Sequence, residues 1–122
     1  MYRDNASNGR LVFTCFNGRV VAIDPMSGQA RWSLDTNTLS SNPVMVADGS
    51  ALYLFANRVL VAVDTETGKA RWQVDVPVES ASSIRLFDGL VLILAQGRLR
   101  AYATHDGGLR WETPSATVVV RV

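Results

Sequence analysis

Apolar residues run along this chain in short bursts separated by Gly, Asn, Asp and Pro, and no helical period competes with them. Each burst is rich in β-branched or aromatic residues, which predicts strands. In the middle of the chain these are Pro43–Ala47, Ala51–Ala56, Val59–Asp64 and Ala70–Asp75. Further on they are Ser83–Phe87, Leu90–Ala95, Leu99–Ala103 and Leu109–Thr113. The first stretch gives only three, Arg10–Phe16, Arg19–Asp24 and Ala30–Asp35, and a last strand is expected at Thr117–Val122. Asn17-Gly18 and Gln96-Gly97 fall where two-residue hairpin turns belong, with Asn57-Arg58 at the aligned place. The runs Ala51–Ala56 and Leu90–Ala95 are apolar almost throughout. A sheet with one wet face would alternate, so burial on both faces is expected, as in sheets stacked face to face.

The strands repeat. Ala22-Ile23-Asp24-Pro25-Met26-Ser27-Gly28-Gln29-Ala30-Arg31-Trp32 aligns without gaps on the segments Ala62 to Trp72 and Ala101 to Trp111. Gly28, Gly68 and Gly107 each follow the Ala by six positions, and Trp follows Gly by four. The tryptophans lie 40 and 39 residues apart, and the chain has no others. Four short strands at a period near 40 predict all-β architecture: a β-propeller segment of about three four-stranded antiparallel blades. The blades fall roughly at 9–35, 41–75 and 82–113, within one partial propeller domain covering 1–122. Trp32, Trp72 and Trp111 then have a mechanical role, each burying roughly 150–250 Å² against a neighbouring blade. Ala22, Ala62 and Ala101 leave room for the ring. The glycines supply a left-handed backbone in the loop, and Asp24 and Asp64 accept hydrogen bonds from nearby backbone N–H groups. The third copy has Ala103 in place of the Asp, which predicts a looser turn.

The pattern Ala-x-Asp-x-x-x-Gly-x-x-x-Trp resembles the repeat of pyrroloquinoline-quinone-type (PQQ-like) β-propellers. That family includes quinoprotein alcohol dehydrogenases and BamB-like outer-membrane assembly lipoproteins. The likeness covers residues 9–122, and it is specific for the blade with its Trp-docking motif. It does not specify an activity, because enzymes and scaffolds share the blade. The quinone enzymes carry a vicinal disulfide ring, a calcium site and a catalytic Asp. Here Cys15 is the single cysteine and no hard-cation cluster stands out, so none of those residues carries over and no cofactor is expected. The assembly-factor branch implies a non-enzymatic, protein-binding scaffold in the bacterial periplasm or cell envelope. The alternatives are a fragment of a PQQ-dependent dehydrogenase whose catalytic residues lie elsewhere, and a sensor domain of a membrane receptor or kinase.

Composition adds exclusions. Twelve basic and eleven acidic residues leave a net charge of +1, which gives no electrostatic reason to expect nucleic acid or an anionic membrane. No apolar stretch is long enough to span a bilayer, and no signal peptide is legible, so the chain itself does not declare its compartment. Cys15 sits among apolar residues and reads as a small buried hydrophobe. His105, beside Asp106, is the only histidine; in a loop without a matching serine or ligand spacing, it reads as a surface residue. Gly107-Gly108 lacks the strand–loop–helix context of a phosphate loop. Arg98 and Arg100 share one strand face, expected to be a solvated edge, with an anion or acidic-partner patch as the alternative. Arg31, Arg71 and Arg110 precede each Trp, and their repetition points to a structural role. No catalytic constellation emerges. The protein-binding surface is expected on the loops Asp35–Asn42 and Pro77–Ser82.

Three blades do not close a ring. Further blades or self-association into a dimer are therefore expected. The missing inner strand of the first unit and the extra one at Thr117–Val122 suggest that strands from opposite ends share a blade.

Overall fold

The computed structural model describes residues 5–16, 18–35 and 43–113, and within them the apolar bursts become strands joined by tight turns. The strands make three four-stranded antiparallel sheets, each a simple meander. The first contains β1 (Asn5–Ser7), β2 (Val12–Phe16), β3 (Arg19–Ile23) and β4 (Ala30–Asp35). The second contains β5 (Val44–Ala47), β6 (Ala51–Ala56), β7 (Val59–Asp64) and β8 (Ala70–Asp75). The third contains β9 (Ser83–Phe87), β10 (Leu90–Ala95), β11 (Arg98–Ala103) and β12 (Leu109–Glu112). No helix occurs among the described residues.

One expectation fails at the start of the chain. The first unit has its innermost strand, because β1 pairs with β2 through Asn5↔Thr14, Ala6↔Phe13 and Ser7↔Val12. Its three residues are too few and too polar to show an apolar alternation. The turn that follows explains why it forms. Asn8 Oδ1 accepts from the N–H groups of Arg10 (3.0 Å) and Leu11 (2.9 Å). Asp48 Oδ1 does the same for Ser50 (2.9 Å) and Ala51 (2.8 Å) before β6. A side-chain oxygen thus fixes each reversal. Arg10 and Leu11 belong to this turn, so the predicted strand Arg10–Phe16 starts at Val12. The idea of a blade shared between chain ends loses its first premise, and Thr117–Val122 lies outside the described residues.

The two-residue turns Asn57-Arg58 (φ 54° and 73°) and Gln96-Gly97 (φ 55° and 72°) both hold left-handed backbone at their two central positions, the geometry that matches strand twist. Asn17 lies outside the described residues. In every sheet the third and fourth strands slip register just after the motif alanine, at Ala22/Ile23, Ala62/Val63 and Ala101/Tyr102. A repeated bulge of this kind adds local twist.

The sheets stack face to face, with inner strands β1, β5 and β9 side by side in that order. Between the first two sheets, Phe13, Val20 and Ala22 pack with Leu52, Leu54 and Val63. Between the second and third, Tyr53, Phe55 and Leu60 pack with Val91, Ile93 and Tyr102. All of β6 is buried, as its continuous apolar run requires. The run in β10 behaves differently. Val91, Ile93 and Ala95 are buried against the second sheet, whereas Leu94 is 38% exposed on a face that no described sheet covers.

Candidate functional site

The motif residues meet at the seams between sheets. Register places Phe13, Ala22 and Trp32 in one row across the first sheet, and Tyr53, Ala62 and Trp72 across the second. The Trp32 ring lies 5.9 Å from Phe13, and Trp72 lies 6.0 Å from Tyr53, both tilted. Each indole then reaches into the next sheet's loop. Trp32 Nε1 donates to the Thr65 carbonyl (2.8 Å), and Trp72 Nε1 donates to the Thr104 carbonyl (2.9 Å). The rings rest on glycine: a Cβ at Gly68 would stand 2.7 Å from Trp32, and one at Gly107 2.6 Å from Trp72. Both glycines have φ of +78°, so they meet a conformational and a steric demand together. Trp111 occupies the same register opposite Ala101 but is 42% exposed.

The loop aspartates bond as expected. Asp24 Oδ1 accepts from the Met26 N–H (2.9 Å), and Asp64 Oδ1 from Glu66 (2.8 Å) and Thr67 (3.2 Å). Their second oxygens face the arginine before each Trp: Asp64 Oδ2 accepts from Arg71 at 3.1 Å, and Asp24 Oδ2 lies 3.7 Å from Arg31. The Arg71 bond holds the Asp64 carboxyl below its ordinary 3.8 despite opposing desolvation, with the Thr67 N–H helping. The third copy is not looser. Gly107 N–H bonds to the Ala103 carbonyl at 2.8 Å, against 2.7 and 2.9 Å for the equivalent bonds at Gly28 and Gly68. Backbone bonding suffices there, and Asp106 takes part by accepting from Gly108 (2.8 Å).

The connection between β8 and β9 is tied to both flanking sheets. Asn57 N–H bonds to the Glu79 carbonyl, Val76 N–H to the Arg58 carbonyl and Ser82 N–H to the Leu94 carbonyl, each at 2.8 Å. Val76 and Val78 are buried beneath it, while Pro77, Glu79 and Ser80 are exposed. Residues 36–42 of the other loop, Asp35–Asn42, lie outside the described residues.

Two arginines read as solvated are not both so. Arg100 is only 6% exposed. It lies opposite Ile93, on the face that β10 turns toward the second sheet, so the stacking of sheets removes it from water. The sequence carried a signal for this in the alignment on the motif alanine, where the same position is Val21 and Val61. Glu112 Oε1 lies 3.4 Å from Arg100 Nε, and Glu112 Oε2 accepts from Arg98 Nη1 at 3.3 Å.

His105 is exposed and faces Asp106 at 3.4 Å. Among the described residues no three His, Cys, Asp or Glu side chains gather as metal ligands, and no helix is long and apolar enough to cross a membrane. Cys15 is buried.

Several solved structures share this fold. BamB from Moraxella catarrhalis superposes with a TM-score of 0.79 at 22% identity, over 93% of this chain and 37% of that one. The computationally designed Ika4 protein gives 0.83 at 13% identity, over 95% and 74%. The quinohemoprotein alcohol dehydrogenase ADHIIG from Pseudomonas putida HK5 gives 0.73 at 20% identity, over 91% and 20%. This chain therefore spans little more than a third of the BamB structure it matches. No protein of curated function matches its sequence significantly. The family described as outer membrane protein assembly factor BamB matches residues 6–121, nearly the whole sequence, and the chain belongs to that family of PQQ-like repeats.

Proposed function

We propose that these three sheets are a section of a non-enzymatic β-propeller that binds a protein partner in the bacterial cell envelope. The family match over residues 6–121 carries this reading. Repeat symmetry supports it: Ala22, Asp24, Gly28 and Trp32, Ala62, Asp64, Gly68 and Trp72, and Ala101, Gly107 and Trp111 recur at matching positions, and in this reading they serve as a docking device between successive blades. In this reading further blades complete the ring, in the same chain or in a second copy. The partner contacts loops at a ring face, among them Pro77–Ser82, whose anchored backbone presents Pro77, Glu79 and Ser80 without an ordering cost at binding.

Photo-crosslinking from Glu79 and Ser80 positions in cells tests this. One discrete protein adduct is expected, absent when the crosslinker stands at buried Val91. A titration of the chain with pyrroloquinoline quinone and calcium, followed by absorbance, addresses the dehydrogenase reading: saturable cofactor binding overturns the scaffold assignment.

A further inference from the structure

Arg100 is the most heavily buried charged side chain among the described residues, and it is not satisfied there. Its Nε and Nη1 are shielded from solvent without a hydrogen bond to the described residues. The Nε contact with Glu112 is an ion pair lacking hydrogen-bond alignment. A buried donor left unpaired costs about 1–3 kcal/mol, more when it is charged, so such a group calls for a reason.

The surroundings supply one. Arg100 lines a cavity of about 260 Å³ with Arg98, Gln96, Ala95, Pro77 and Val78, at the mouth between the β8–β9 connection and the β10–β11 turn. Glu112 is shared by two guanidinium groups, which leaves one positive charge over. The site also breaks the repeat. Val21 and Val61 stand at the place of Arg100, and Arg19 and Val59 at that of Arg98, so packing alone does not require this pair. Two arginines with one carboxylate between them, set in a polar recess, make a receptor for a second oxyanion.

We propose that this crevice binds a compact oxyanion, a carboxylate or a phosphate group. Arg100 donates from the buried side and Arg98 from the mouth. Glu112 bridges the two guanidinium groups and tempers their charge, competing with the ligand for them. The inference does not rest on the scaffold reading: Arg98 and Arg100 carry it, while Pro77 and Val78 of the proposed partner loop only form one wall of the crevice.

The test titrates the full chain with sodium phosphate and, separately, sodium acetate, following backbone amide shifts by NMR with sodium chloride at matched ionic strength as the reference. Saturable shifts at Gln96, Gly97 and Arg98 are expected with at least one oxyanion and not with chloride, and the tighter of the two identifies the ligand class. Arg100→Met should weaken binding about tenfold or more, the usual consequence of losing a charge-assisted bond. Arg98→Gln, at the mouth, keeps the fold and should weaken it less. Glu112→Gln should tighten binding, because the competing carboxylate is gone. A purely structural Arg–Glu pair predicts instead that Glu112→Gln only destabilises the fold. Absence of saturable shifts in both the natural chain and Glu112→Gln overturns the proposal, as does undiminished binding by both arginine variants.

Discussion

Gly28 and Gly68 occupy the same position of the repeat with nearly the same backbone, φ +76° and +78°, yet their surroundings differ. Among the described residues nothing lies within 4 Å of a Cβ built on Gly28, whereas one on Gly68 would stand 2.7 Å from Cδ2 and 2.8 Å from Cε3 of Trp32. Alanine at either site incurs the left-handed backbone penalty, about 1–2 kcal/mol. Either also gains roughly 0.4–1 kcal/mol from a less flexible unfolded chain. Both effects cancel in the comparison. What remains is the collision with an indole pinned by its bond to Thr65, an overpacking cost of about 1–3 kcal/mol. Gly68→Ala should therefore be less stable than Gly28→Ala by that amount. Urea denaturation followed by far-UV circular dichroism measures it, provided both variants share one m value. A Trp32→Ala background removes the obstacle, so the penalty at Gly68 should fall to that at Gly28, a coupling visible in a double-mutant cycle. If the two glycine variants agree within about 0.5 kcal/mol in the natural background, the ring does not rest on Gly68 as described.

Trp72→Ala should cost about 3–5 kcal/mol in the same assay, and Trp111→Ala clearly less, since Trp111 is 42% exposed; equal losses would contradict a seam-specific role. Asp64 links the fold to pH. Arg71 lowers its folded-state pKa below the ordinary 3.8, so its contribution is full above that value and is lost as pH falls through the lowered one. Asp64→Asn should therefore flatten the acid limb of the stability profile between neutral pH and pH values under 3.8, and an unchanged acid limb would count against the Asp64–Arg71 bond.

Legibility in the sequence followed the strength of the local signal. Long apolar strands such as Ala51–Ala56 could be read to the residue, because each position is buried whichever way it points. Asn5–Ser7 could not, because its place in the sheet comes from the Asn8 turn and from pairing with β2 and not from its own side chains. A stricter use of the repeat would have found it: Asn8-Gly9, Asp48-Gly49 and Asp88-Gly89 fall at one 40-residue spacing. Arg100 was misread for a related reason. Charge at i and i+2 on a strand normally marks a wet face, and only the stacking of the second sheet over β11 reverses that. The docking of Trp32 on Gly68 was legible as a pairing of residue types, but which carbonyl receives the indole depends on the offset between sheets.

Each indole reaches forward along the chain, from first sheet to second and from second to third. The stack therefore has a sense, like a row of hooks and eyes. Among the described residues, no indole rests on the eye at Gly28, and the hook at Trp111 is 42% exposed. Any seam built by engaging these ends joins unlike surfaces, head to tail. Whether such growth ends in a closed ring or runs on as a filament is then decided by the rotation between successive sheets alone, a single angle repeated at every seam.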